Sequence, residues 1–384
     1  MVFVRKWPLG GALIAKSRED DLMAEAERLA TKMEPAVAKA VAQYLNETAD
    51  QLDLEAIVKA LEDGDQAEVL ALIAQASQKA AATAGLGVAT SLQNATWAGG
   101  ALASGAPTLN GVQFVFNRLN PKLIGWLSSY DLGLIRNINE QTKEAVRGVL
   151  VAHMKEGKPP AAQARQIKEV VGLTPSQAQA VANFRKELET FHTKRTAAGW
   201  KLGQAPDMVN GHNVLKPDAS GAPKDGMLER RLRDRRYDAA LQRALTDRKP
   251  LKPEKIDAMV AAYKRRYVAY RANMIARTES LRATNMGVQD AWRQAVEGGK
   301  VSEGLVRRLW ITTKDERTCR VCSPIPSMNK GGVGLGDPFV TPDGPVDIPP
   351  LHPHCRCTIF IRHLEPGETE YTPGLPSALG RSYG

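Results

Sequence analysis

The chain has 384 residues and a formal net charge of +10, and only 5% of its residues are aromatic. No apolar run approaches the roughly 18 to 20 residues that a bilayer-spanning helix requires, so the sequence excludes a helical integral membrane protein. The short apolar patch at residues 8–15 runs directly into a charged segment, and we do not expect it to act as a signal peptide.

The positive charge is concentrated in one part of the chain. Between Leu228 and Arg282 there are 16 Lys and Arg against 7 Asp and Glu, a net of 16 − 7 = +9, so the rest of the chain is close to neutral. Such a segment indicates either an anionic partner, with nucleic acid the first candidate, or a solvated helix face. The candidate contact residues are Arg230, Arg231, Arg233, Arg235, Arg236, Lys264, Arg265, Arg266 and Arg271.

Helical periodicity dominates the first half of the sequence. We expect a helical N-terminal region over residues 1–111 and a helical middle module over residues 112–196, because apolar residues recur there at spacings of three and four. Asp53 and Thr174 are the predicted N-caps of two of these helices. The glycines between Gly85 and Thr108 predict a looser segment.

The second half begins with a change in composition. Residues 197–227 are rich in Gly and Pro and are expected to form a linker, and residues 228–364 form the next predicted domain. An uninterrupted 3–4 apolar stripe runs from Pro253 to Gly298 and predicts one long helix of about 40 residues. The Gly- and Pro-rich residues 365–384 are expected to be a flexible tail.

Two β-type runs follow the long helix. Val306–Thr313 and Thr358–Ile361 are predicted strands that flank the cysteine clusters and are expected to pair. The predicted fold is therefore mainly α, with helical N-terminal and middle modules and a long basic helix. A small α+β module, held together by a Cys/His site, completes it.

All four cysteines lie in two short clusters. Cys319-x-x-Cys322 is typical of one half of a tetrahedral zinc site, and His352, Cys355 and Cys357 offer the other half. The spacing allows a site of four cysteines or a site of three cysteines and His352. Disulfides or free thiols remain alternatives, and a catalytic site is not expected because no general base stands at a recognisable spacing.

Several of these residues also resemble a known family. The motif begins with Ile275-Ala276-Arg277-Thr278-Glu279 and continues with Ala283, Asn285, Gly287, Trp292, Trp310, Thr312 and Asp315 through Cys322. It ends with Pro349-Pro350-Leu351-His352-Pro353-His354-Cys355-Arg356-Cys357. Together, over roughly Tyr263 to Arg362, these residues resemble the phage Mu F-like minor head protein family. His354 stands where the family usually has Asn, which favours His352 over His354 as a ligand.

The resemblance implies a function as well as a fold. It implies a non-enzymatic minor head protein of a tailed phage that acts in head morphogenesis. Such a protein would contact portal and capsid proteins and lie near packaged double-stranded DNA, with a structural zinc ion and no membrane partner. It would be found in the virion, in the capsid interior or at the portal vertex, and in the host cytoplasm during assembly. The alternatives are a toxin-related, transferase-like enzyme using Arg277, Thr278 and Glu279, or a zinc-containing DNA-binding protein.

Overall fold

The computed structural model describes residues 10–105, 114–193, 207–209, 212–214, 232–312, 318–353 and 355–364. The described chain is mainly α, as predicted, and none of its helices is long and apolar enough to span a bilayer. The helices are α1 (Gly10–Asp50), α2 (Leu54–Glu62), α3 (Gln66–Thr83), α4 (Gly85–Gly105), α5 (Pro121–Glu156), α6 (Pro160–Val170), α7 (Pro175–Glu189), α8 (Asp238–Asp247), α9 (Pro253–Glu297) and α10 (Ile325–Met328).

The strands form two small antiparallel pairs. β1 (Asp207–Val209) pairs with β2 (His212–Val214) inside the segment predicted to be a linker. β3 (Val306–Ile311) pairs with β4 (Thr358–His363), with Leu309 opposite Phe360, which confirms the predicted strand pair around the cysteines.

Two compact units are built from interleaved segments, whereas the sequence analysis divided the chain into successive modules. Unit 1 contains residues 1–41, 85–133 and 272–384, and unit 2 contains residues 42–84 and 134–271. Composition changes along a sequence are local, so they do not report which distant segments share a core. The predicted tail at residues 365–384 lies outside the described residues.

Hydrogen-bonding side chains cap the N-termini of α2 and α7, and a glycine follows α6. The Asp53 carboxylate accepts a hydrogen bond from the backbone N–H of Ala56, which confirms this N-cap of α2. Thr174 and Gln177 form a capping box at the start of α7. Between α6 and α7, Gly172 adopts a φ of +86°, a left-handed conformation that glycine enters without a steric penalty.

Helix α4 corrects the expectation of a looser segment for Gly85–Gly105, and residues 106–108 of that predicted segment lie outside the described residues. Gly99 and Gly100 lie inside this helix, where a β-carbon at Gly99 would stand 2.0 Å from the carbonyl oxygen of Thr284 in α9. The glycines allow two backbones of unit 1 to approach closely, so packing outweighs their low helix propensity.

Helix α9 confirms the predicted long helix, with 45 residues from Pro253 to Glu297. Its C-terminal part belongs to unit 1 and packs on the core that surrounds the cysteines. In that core the rings of Trp310 and Phe339 make an edge contact, with centroids 5.3 Å apart. Cys322, Cys355 and Cys357 are buried in the same cluster, so the site is embedded in packed apolar side chains.

Candidate metal centre

The first half of the centre is a turn that follows β3. The backbone N–H of Ser323 donates to the carbonyl oxygen of Cys319 (3.0 Å), and the N–H of Cys322 donates to the Cys319 sulfur (3.3 Å). A thiolate that accepts backbone N–H groups is stabilised in its charged, metal-binding form. The Cys-x-x-Cys spacing therefore presents both sulfurs from a single turn.

The second half lies immediately before β4. The backbone N–H of Cys355 donates to the carbonyl oxygen of His352 (3.1 Å), and the N–H of Cys357 lies 3.5 Å from the Cys355 sulfur. The Nδ1 atom of His352 is 2.9 Å from the carbonyl oxygen of Pro353. A proton on Nδ1 donated to that carbonyl leaves Nε2 with the lone pair that a metal requires.

Ligand atoms of the two halves lie within 4 Å of one another across the site. His352 Nε2 is 3.0 Å from the Cys319 sulfur and 3.2 Å from the Cys322 sulfur, and the sulfurs of Cys322 and Cys355 are 3.6 Å apart. With Zn–S bonds of about 2.3 Å, tetrahedral geometry places two sulfurs about 3.8 Å apart. The atoms of the two clusters therefore stand close to the separations that one tetrahedral ion imposes.

Two groups of three ligands share one cysteine. Cys319, Cys322 and His352 form one group, and Cys322, Cys355 and Cys357 form the other, with all ligand atoms in each group within 4.8 Å of one another. Both groups could hold a metal ion. All four cysteines are free thiols in this structure, which does not contain the disulfides that the sequence left open. His354, the alternative histidine, lies outside the described residues.

The pKa values of Cys355 and Cys357, the two thiols of the second half, are shifted in opposite directions. A hydrogen bond from the Cys357 side chain lowers the pKa of Cys355 to about 5, although burial opposes this shift. The same hydrogen bond, together with burial, raises the pKa of Cys357. These opposite pKa shifts favour ionisation of Cys355 over ionisation of Cys357.

Side chains of α9 hold the segments around the second half. Asn285 Nδ2 donates to the carbonyl oxygen of Pro349 (3.1 Å), and Arg282 Nη2 donates to that of Pro350 (2.8 Å). The Asn285 Oδ1 atom accepts from the Thr358 hydroxyl (2.5 Å). Part of the motif that carries the family resemblance thus lies against the ligand-bearing chain.

Arg308 is a central residue of this module that the sequence analysis did not single out. Its side chain is 1% exposed and donates to Gln289 Oε1 (2.8 Å) and to the carbonyl oxygens of Gly334 (3.1 Å) and Asp347 (2.6 Å). Its guanidinium also lies 4.9 Å from the ring centroid of Phe339. Two adjacent arginines, Arg307 and Arg308, inside the predicted strand were the available signal, since a buried arginine requires many acceptors.

Three other residues of the family motif, Arg277, Thr278 and Glu279, make their described contacts away from the cysteines. Arg277 lies 3.9 Å from Glu27, and the buried Thr278 hydroxyl donates to the Met274 carbonyl oxygen within the helix (3.0 Å). Burial raises the pKa of the Glu279 carboxyl, which Arg282 opposes from 3.6 Å. Asp315 lies outside the described residues.

The predicted basic contact residues divide into exposed and buried members of unit 2. Arg235, Arg236, Arg265 and Arg266 are exposed, and we call these four the arginine surface. Arg236 and Arg266 both pair with Asp234, at 2.6 Å and 3.5 Å. Arg230 and Arg231 lie outside the described residues.

Three members of the predicted set do not offer a free charge at the surface. Arg271 is 1% exposed and donates to the carbonyl oxygens of Gly172 and Ile138, which corrects its expected role as a contact residue. Arg233 is 9% exposed and pairs with Asp238 at 2.8 Å. The Lys264 ammonium donates to the Lys168 carbonyl oxygen, and burial lowers its pKa to about 8.

Comparisons of the chain with protein-family models, with curated proteins and with solved structures give no match.

Proposed function

We propose that this chain is a minor head protein of a tailed phage, with an architectural rather than a catalytic role in head morphogenesis. The observation that carries the proposal is the meeting of both motif halves in one buried core. Trp292 of α9, Trp310 of β3 and the buried Cys322, Cys355 and Cys357 belong to the same cluster. The residues behind the family resemblance thus act together as one structural module, which supports reading them as a family signature.

The proposed role of the metal centre is to stabilise this module. We assign zinc to it, because thiolate and imidazole ligands at tetrahedral spacing suit that ion. The chain between Cys322 and His352 contains only the four-residue helix α10 and isolated β-bridges. An ion that joins the two ends of this loop contributes its binding free energy to folding.

The proposed partner surface is the arginine surface of unit 2. Of its four exposed guanidinium groups, those of Arg236 and Arg266 pair with one carboxylate, Asp234, whose pKa Arg236 lowers to about 2. That carboxylate therefore stays ionised at neutral pH and offsets only one of the four charges. The remaining positive charge suits the phosphates of double-stranded DNA or an acidic face of a portal protein.

The test is whether the chain is a component of heads. A tagged copy would be expressed in the phage or prophage strain that encodes it, and DNA-filled heads would be purified on a density gradient. We expect the chain in the same fraction as the portal protein, and we expect its deletion to reduce the yield of infectious particles. Heads that lack the chain, together with normal particle yield after deletion, would refute the proposed function.

A further inference from the structure

The second half of the metal centre is fixed to α9 at both of its ends. Pro349 and Pro350 lead into His352, and Thr358 directly follows Cys357. One side chain reaches both ends: Asn285 donates to the Pro349 carbonyl oxygen (3.1 Å) and accepts from the Thr358 hydroxyl (2.5 Å). A single residue therefore sets the distance across the ligand-bearing segment.

The contact is fully withdrawn from solvent. Asn285 is 0% exposed and Thr358 is 1% exposed, so water cannot replace either hydrogen bond at low cost. Only a side chain with both a donor and an acceptor satisfies a carbonyl oxygen and a hydroxyl at once, and an amide provides both. An aspartate in this position would lose the donor, and an alanine would lose both groups.

Neighbouring turns of α9 contact this segment, the loop before it and strand β3. Arg282, three residues earlier, donates to the Pro350 carbonyl oxygen (2.8 Å). Gln289, four residues later, lies 3.4 Å from the Leu335 carbonyl oxygen and accepts from Arg308 (2.8 Å). Residues spaced by three and four share a helix face, so one face of α9 carries Arg282 and Asn285, which bind the ligand-bearing segment, and Gln289, which binds the neighbouring loop.

We propose that Asn285 is the positioning residue of the metal centre, which it organises by holding Pro349 and Thr358 at a fixed separation. The inference rests on the proposed metal site. Asn285 does not contact the ion; it acts through the backbone that carries His352, Cys355 and Cys357. Outer groups that orient metal ligands typically change metal affinity by roughly 10- to 100-fold when they are removed.

The experiment compares zinc affinity, measured by competition with a chromophoric chelator, in full-length variants. We expect Asn285→Ala to weaken zinc binding by roughly 10- to 100-fold. Thr358→Val, which replaces only the hydroxyl by a methyl group of similar shape, should weaken it less. Thr358→Ser keeps the hydroxyl and should restore the wild-type affinity. The Co²⁺-loaded proteins should show the matching order in the intensity of their d–d absorption bands.

A control variant separates positioning from general destabilisation. Leu188→Ala removes a fully buried side chain of α7 in unit 2, whereas Asn285 and the cysteines belong to unit 1. It should lower the unfolding midpoint and leave zinc affinity unchanged within about threefold, as expected for residues that share no contact partner.

The outcomes distinguish the two levels of the proposal. A wild-type chain that binds neither zinc nor Co²⁺ overturns the metal site and the positioning role together. A wild-type chain that binds zinc, with wild-type affinity in both Asn285→Ala and Thr358→Val, overturns only the positioning role. If Asn285→Ala fails to fold, the isosteric Thr358→Val and its Thr358→Ser partner decide the question.

Discussion

The close crossing of α4 and α9 in unit 1 depends on glycine, and adding one methyl group there tests it. A β-carbon at Gly287 would lie 1.9 Å from the carbonyl oxygen of Thr96, and one at Gly99 would lie 2.0 Å from that of Thr284. Both obstacles are backbone atoms of the facing helix, which cannot rotate away as a side chain can. Gly287→Ala therefore forces the two helices apart.

The magnitude follows from the distances. Ordinary contacts of a β-carbon begin near 3.4 Å, so the Thr96 oxygen must retreat by 3.4 − 1.9 = 1.5 Å. Overpacking a well-packed core costs about 1–3 kcal/mol, and a displacement of this size belongs at the upper end. Alanine regains about 1 kcal/mol of helix propensity relative to glycine. We expect Gly287→Ala to lower the free energy of unfolding by about 2 kcal/mol.

Gly125→Ala is the matched control in the same unit. Gly125 lies in α5, is exposed, and has no atom within 4 Å of a β-carbon built on it. The same substitution should therefore raise the free energy of unfolding by about 0.5–1 kcal/mol. The two variants are predicted to change stability in opposite directions although their chemistry is identical.

The assay is thermal and urea unfolding at fixed excess zinc, followed by tryptophan fluorescence, with Trp292 and Trp310 as buried reporters of unit 1. For a unit of this size, a loss of about 2 kcal/mol corresponds to a fall in Tm of roughly 4–8 °C. A Gly287→Ala protein as stable as Gly125→Ala would refute the close packing of the two helices.

Three further predictions concern the metal, the charges and a buried lysine. Purified protein should contain about one zinc per chain. Cys322→Ser should reduce the zinc content more than Cys357→Ser, because Cys322 belongs to both ligand groups. Equal zinc content in the two variants would contradict this prediction. Duplex DNA binding should weaken with salt with a slope near −2.7 for the three charges that Asp234 leaves uncompensated, and replacing Arg235 and Arg265 by Gln should bring the slope to about −0.9. An unchanged slope would show that the arginine surface is a solvated face and does not bind DNA. Replacing the exposed Arg147 and Arg165 by Gln is the charge-matched control. Between pH 8 and pH 10.5 the unfolded chain keeps the Lys264 proton that the folded chain has released. The free energy of unfolding of the wild-type chain should therefore rise with pH across this window relative to that of Lys264→Met. Parallel stability–pH curves of the two proteins would contradict the burial of the Lys264 ammonium.

The sequence by itself determined the features that depend on local chemistry. The 3–4 apolar stripe was enough for α9, because no proline interrupts it after Pro253 and Gly298 follows its last residue. Thr174 and Asp53 were readable as caps, because a side chain that bonds a backbone N–H three residues on needs no distant partner. The spacing within each cysteine cluster is local as well, so it was enough to mark the cysteines and His352 as candidate ligands.

Tertiary structure decided the features that depend on residues far apart in the chain. Gly99 reads as a helix breaker until Thr284 of α9 is seen to occupy the space where its side chain would be. Arg271 reads as a surface charge until the carbonyl oxygens of Gly172 and Ile138 are found around its guanidinium. The pairing of ligands across the site joins segments at least 30 residues apart, and the hydrogen bonds of Asn285 that frame them join segments more than 60 residues apart. Composition and spacing report a residue's own preferences, whereas burial and partnership are set by the chain that folds against it.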